Sequence, residues 1–244
     1  PMWDGSETWL ILGGALLYAC FPWAISVILP ALYLPLMIML CALVGRGVAF
    51  EFRSKAVRTK VLWARTFFGA SLVATFCQGV LLGTYIQISH TSINLSLHGG
   101  LLWFSPFVFL CGIGLCFGYA LLGAGWVIAK TQGDIQDKAR HLSFNLYISA
   151  FIIMIAITII TPWVNPAISK IWFSDAFFYL VPFPIVSSLV LLYAFYKTYT
   201  GSDFWPFYGG IFMFGGCFAG LAYSLYPNLL PNQSYQELAA HESA

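Results

Sequence analysis

Residues 29–60 read LPALYLPLMIMLCALVGRGVAFEFRSKAVRTK. From Leu29 to Gly45 no side chain is charged, and the next fifteen residues then carry six charges: Arg46, Glu51, Arg53, Lys55, Arg58 and Lys60. An apolar run of about 20 residues matches the hydrocarbon thickness of a bilayer. Inside that layer no water satisfies the backbone, so a single crossing segment has to be a helix. The cations behind it sit where headgroups begin and orient the span. This one stretch therefore sets the fold class as all-α and the solvent as lipid.

The rest of the chain follows the same plan. Of 244 residues 60% are hydrophobic and 8% charged, and the mean hydropathy is +0.82. A soluble domain carries about 25% charged residues, so a water-soluble enzyme or nucleic-acid binder is excluded. Seven spans are expected, at about 8–27, 30–49, 66–88, 105–129, 142–162, 176–197 and 205–225, with a short turn at Leu29-Pro30 parting the first two. The expectation is a polytopic transmembrane helix bundle, with one transmembrane domain over 1–227 and a polar tail over 228–244.

Lysine and arginine give the orientation. Ten of them (Arg46, Arg53, Lys55, Arg58, Lys60, Arg65, Lys130, Lys138, Arg140 and Lys197) fall on one side of the expected topology, and only Lys170 falls on the other. The positive-inside rule assigns residues 1–7 and the loops 50–65, 130–141 and 198–204 to the cytoplasm. Loops near 89–104 and 163–175, and the tail, face outward.

Small residues a turn apart let membrane helices approach closely. Three such pairs occur: Gly79/Gly83, Gly114/Gly118 and Gly216/Gly220. Six cysteines lie inside apolar runs without a C-x-x-C pair and read as packing residues, not as metal ligands.

Charge is kept out of the span centres. Ion-coupled transporters place ionisable groups there, which weighs against a multi-pass transporter or channel; a purely structural membrane scaffold is the other alternative. Thr75, Gln78, Tyr85 and Asn145 are the mild polar candidates within spans, and Gln78 and Asn145 are expected to hydrogen-bond between helices. His90, His98, His141 and His241 fall in loops or at helix ends and read as solvated or interfacial. No metal or haem bound directly by this chain is expected.

Chemistry is left to the cytoplasmic ends. Asp4 and Glu7 stand at the start of the first apolar helix, where Asp4 caps and Glu7 complements the positive helix end. Carboxylates so placed also collect protons at a membrane entrance. Arg46 and Glu51 straddle the end of the second span, with Arg46 snorkelling or reaching a subunit interface and Glu51 passing protons.

Four stretches carry a family resemblance: PMWDGSETWLILGGALLYACFP (1–22), LPALYLPLMIMLCALVGRGVAFEFRSK (29–55), RTFFGASLVATFCQGVLLG (65–83) and CFGYALLGAGWVIAKTQGD (116–134). In order and spacing they resemble subunit II of the cytochrome bd-type quinol oxidases, the cyanide-insensitive branch included, over about residues 1–227. The resemblance implies a complex that oxidises quinol and reduces oxygen to water in a prokaryotic cytoplasmic membrane. It implies two b-type haems and one d-type haem in a partner, subunit I, and none in this chain. It also implies a cytoplasmic proton path along the subunit seam, with Asp4, Arg46 and Glu51 at the family's candidate positions. Membrane lipid and a small accessory subunit are the further partners it admits; nucleic acid is not one. Relatives carry one more helix before Pro1 and one more after Tyr226, so the resemblance implies a fragment lacking both, inactive alone.

Overall fold

The structure is a computed structural model that describes residues 2–20, 22–88, 103–172, 181–225, 228–230 and 233–234. Its elements in chain order are α1 (Met2–Cys20), α2 (Pro22–Lys55), α3 (Lys60–Ile88), α4 (Pro106–Lys130), α5 (Asp134–Val164), α6 (Pro166–Trp172), α7 (Pro182–Tyr199) and α8 (Trp205–Leu225). A two-strand antiparallel ladder follows, β1 (Asn228–Leu230) with β2 (Gln233–Ser234). Five of these helices have segments long and apolar enough to cross a membrane: Ile28–Lys55, Lys60–Ile88, Pro106–Lys130, Asp134–Val164 and Trp205–Ser224. In α1 the apolar part is the shorter Thr8–Cys20. The expected sixth span begins outside the described residues and continues on α7, whose 18 residues reach about 27 Å and include Lys197.

The break between the first two spans is not at Leu29-Pro30. Helix α1 ends at Cys20, and α2 starts at Pro22 and runs through Pro30 and Pro35. Proline is favoured at the first helical position, where its missing N–H would be unpaired anyway. Within a membrane helix it is tolerated because other groups take up the freed carbonyls. The basic loops are shorter than expected for a related reason. A helix holds its own backbone bonds whether or not its side chains are apolar, so α2, α3, α4 and α5 run past the lipid. The α2–α3 turn is only residues 56–59, and the α4–α5 turn only 131–133.

The helices form two compact units, residues 1–108 with 227–244, and residues 109–226. In the first, α2 packs along α3 around buried Met39, Leu43, Ala74 and Cys77, with Leu10 of α1 against them. Gly79 and Gly83 are buried in α3. In the second unit the core is Leu121, Ala124, Leu146, Tyr147, Ala150, Leu191, Ala194 and Met213, drawn from α4, α5, α7 and α8.

Glycine sets the close crossings of that second unit. A Cβ on Gly114 would lie 2.8 Å from Ile153 Cγ2 of α5, and one on Gly118 would meet the Phe214 ring of α8. On α8, a Cβ at Gly216 would strike Ser187 of α7, and one at Gly220 would come 3.0 Å from Phe183 Cβ. The closest approach to backbone involves a glycine outside the spaced pairs. A Cβ on Gly125 would lie 2.8 Å from the Phe207 nitrogen and the Pro206 carbonyl carbon. Gly209 similarly faces Ala194, and Gly210 faces Leu122. A side chain can rotate away, but backbone on a packed helix cannot.

Two other sequence expectations come out differently. Asn145 is exposed on α5 and Gln78 half-buried on α3, and among the described contacts neither amide bonds another helix. The reason at Asn145 is rotational: its neighbours Leu146 and Tyr147 face the core, which turns Asn145 outward. Of the cysteines, Cys77 and Cys111 are buried and Cys116 half-buried, whereas Cys20, Cys41 and Cys217 are exposed. All six are free thiols.

Gly125→Ala is expected to destabilise the second unit by about 1–3 kcal/mol, the usual cost of overpacking. Gly123→Ala, with open space at its Cβ position, should leave thermal unfolding in detergent unchanged.

Candidate functional site

The charged end of α2 is the first candidate. Arg46 is half-buried, while Glu51 lies five residues on and is exposed. Five residues turn a helix by about 500° and advance it about 7.5 Å, so these two side chains leave the axis about 140° apart. The cation on Glu51 is accordingly Lys55, one turn further along: Lys55 Nζ lies 2.6 Å from Glu51 Oε1. Both side chains are open to solvent, at 73% and 62% exposure. Beside them Ser54 Oγ donates to the Glu51 carbonyl at 2.7 Å. The Phe52 and Trp63 rings stack at 5.0 Å across the turn and tie the end of α2 to the start of α3. Asp4 and Glu7 are placed on helix α1 by the backbone, and their side chains lie outside the described ones. Met2 and Trp3 are already helical, so Asp4 stands within the helix and not at the capping position.

A second cluster, which the sequence reading used only for its charge, closes the end of the other unit. Arg140 on α5 reaches the α7–α8 turn. Its Nη2 lies 2.8 Å from Asp203 Oδ1, and its Nη1 donates to the Thr198 carbonyl at 2.8 Å. Gln136, one turn earlier, donates through Nε2 to the same Asp203 oxygen and to the Ile128 carbonyl of α4, both at 2.9 Å. Below them the buried Tyr147 hydroxyl meets Thr198 Oγ1 at 3.2 Å, and Thr198 Oγ1 in turn donates to the Ala194 carbonyl. The turn is shaped to allow this. Gly201 takes φ +91°, open to glycine at little cost, and the Ser202 amide donates back to the Lys197 carbonyl at 2.9 Å. A signal was available in sequence: Gln136 and Arg140 are spaced i, i+4, with Gly201 and Asp203 together in the later turn before Trp205. Sequence alone does not tell which turn they meet.

Histidine and methionine are the usual axial ligands of haem. His141 is exposed at the start of α5, and Met39 and Met213 are packed in the two cores. No group of three His, Cys, Asp or Glu side chains converges among the described residues. His90, His98 and His241 lie outside them.

The fold and these charged ends define a class: a helical, multi-pass membrane protein whose described charged side chains gather toward helix ends. The family is identified by comparison. The model of the cytochrome bd terminal oxidase subunit II family matches residues 1–244, and the chain belongs to that family. It is 32% identical over 162 residues to cytochrome bd ubiquinol oxidase subunit 2 of Bacillus subtilis, covering 64% of this chain and 47% of the relative. It is 27% identical over 176 residues to a probable cytochrome oxidase subunit 2 of Haemophilus influenzae, covering 67% and 44%. It is 26% identical over 171 residues to cytochrome bd-I ubiquinol oxidase subunit 2 of Escherichia coli, covering 67% and 44%. The chain thus matches about half the length of these relatives.

Hydrogen bonds to a charged partner contribute roughly 1.5–3 kcal/mol, less where solvent reaches them. Asp203→Ala is expected to cost about 1–2 kcal/mol and to speed hydrogen exchange at the Gly201 and Ser202 amides, with the turn at 56–59 unaffected.

Proposed function

We propose that this chain is a haem-free subunit of a membrane quinol:oxygen oxidoreductase of the cytochrome bd type, and that it supports the haem subunit and supplies part of a cytoplasmic proton-uptake path. The observation that carries the reading is the family match over residues 1–244. The names of three relatives, as subunits 2 of ubiquinol or cytochrome oxidases, agree with it. On this reading the partner is a subunit I that holds two b-type haems and a d-type haem, quinol is the electron donor, and oxygen becomes water. The complex sits in a prokaryotic cytoplasmic membrane with the α2–α3, α4–α5 and α7–α8 turns inside.

Haem supplies the redox chemistry, in the partner. This chain's part is to manage protons. Reducing oxygen to water consumes protons, and each must enter a low-dielectric layer where a bare charge is costly. A carboxylate at the mouth solves the first step. Glu51 is open to water at the end of α2, and the Lys55 ammonium holds its carboxylate in place. It takes a proton at a carboxylate oxygen and gives it up toward the seam. Asp4 and Glu7, at the start of α1, are the other two carboxylates proposed for the path. Arg46, half-buried a turn and a half inward of Glu51, supplies a fixed positive charge at the seam.

In the complete protein with its partner, Glu51→Gln is expected to slow oxygen consumption about 10-fold, equal to about 1.4 kcal/mol on the limiting step, with haem spectra unchanged. Asp4→Asn should act the same way. Wild-type turnover in both variants would leave this chain a scaffold. Loss of haem from the complex would point to assembly instead.

A further inference from the structure

The turns that carry the positive-inside signal are not alike. In the second unit they are close to balanced in charge and engaged within the unit. Lys130, Lys138 and Arg140 share their region with Asp134 and Asp137, and Lys197 shares its own with Asp203. Arg140 is bound to Asp203. Lys130 Nζ lies 5.2 Å over the Trp126 ring, and Lys197 Nζ 5.7 Å over Tyr193.

The α2–α3 hairpin is built differently. Between Glu51 and Arg65 it holds five cations and one anion, and Lys55 already occupies that anion. Arg53, Arg58, Lys60 and Arg65 are exposed, and none is in an ion pair among the described residues. Orientation alone asks only for cations on one side of the membrane. It does not ask for them to gather on one hairpin without counter-charge, where they repel one another.

Depth and apolar surface complete the pattern. The stacked Phe52–Trp63 pair is of the kind that settles at headgroup level. Arg53, Lys55, Arg58 and Lys60 fall within a turn of helix or the short loop on either side of it. Among them stand exposed apolar side chains: Val57 at 88%, Val61 at 65% and Leu62 at 60%. The turns of the second unit carry exposed apolar side chains too (Ile135, Tyr199 and Phe204), so what sets this hairpin apart is its uncompensated charge beside that surface. Anionic headgroup above and methylene below match both halves.

We infer that the α2–α3 hairpin is a binding site for anionic phospholipid. Arg53, Arg58 and Lys60 attract the headgroup phosphate by their charge. Val57, Val61 and Leu62 lie against the first methylenes of the acyl chains. Inorganic phosphate shares the charge but has nothing to place on the valines and the leucine, which is why lipid is the assigned occupant. The inference uses the membrane orientation and does not depend on the oxidase reading.

The test moves the chain, with any subunits that accompany it, into nanodiscs of phosphatidylcholine with a minor share of phosphatidylglycerol, and reads retained lipid by native mass spectrometry. Each cation near an anionic surface changes partition by about fivefold, so Arg53→Gln/Arg58→Gln/Lys60→Gln is expected to cut phosphatidylglycerol enrichment by at least about tenfold. Lys138→Gln removes an exposed cation from the second unit and should leave enrichment unchanged. Enrichment that survives the triple change overturns the site, and so does an equal loss in Lys138→Gln. Displacement of the lipid by inorganic phosphate at matched concentration overturns the lipid assignment. If the triple variant does not fold, two arms remain. Arg53→Lys/Arg58→Lys/Lys60→Arg must keep the enrichment, and the wild-type enrichment must fall with added salt; failure of either sinks the proposal.

Discussion

Backbone hydrogen bonding in lipid governs everything else in this molecule. With no water to accept a stray N–H or C=O, each span must close its own ladder. The polar side chains inside the spans submit to the same rule. Thr84 Oγ1 donates to the Val80 carbonyl at 2.8 Å, Thr158 to Met154 at 2.8 Å, Thr161 to Ile157 at 2.7 Å, and Ser187 to Phe183 at 2.8 Å. Each hydroxyl is satisfied one turn back on its own helix. Small polar residues are thereby admitted to the spans without becoming relay groups, and charge is left to gather where the helices end.

Packing then has to work without the usual driving force. Lipid tails are as apolar as leucine, so helices hold together by close fit. That is the role of Gly114, Gly118, Gly125, Gly209, Gly210, Gly216 and Gly220, each facing a side chain or backbone of another helix. The helix ends use a second device, polar cross-links. Arg140, Gln136 and Asp203 tie three segments at one end of the second unit. Elsewhere in it, Trp172 Nε1 donates to Ser224 Oγ at 3.2 Å, tying α6 to α8. Asn165, fully buried, caps α6 by accepting from the Ile168 amide, with Pro166 at the first helical position.

Much of the candidate site was legible in the sequence. The charge block after Gly45, the one-sided lysines and arginines, and the family resemblance all stand in one dimension. What could not be read is which charges meet across separate helices. Helical spacing already favoured Lys55 over Arg46 as the partner of Glu51, since i, i+4 groups share a face and i, i+5 groups do not. The bond of Arg140 to Asp203 spans 63 residues, and no periodicity reports such a distance. Asn145 shows the converse: its residue type suggested an interhelical bond, and the rotation of α5 denied it.

By itself the sequence determined the solvent, the helical class, the approximate spans and the family, because each depends on hydrophobicity and charge summed along contiguous residues. The tertiary structure alone decided where α1 gives way to α2, which glycines stand at true crossings, and how the second unit's charged end is wired. These depend on the rotation and approach of helices, which are fixed when side chains distant in the chain compete for the same space.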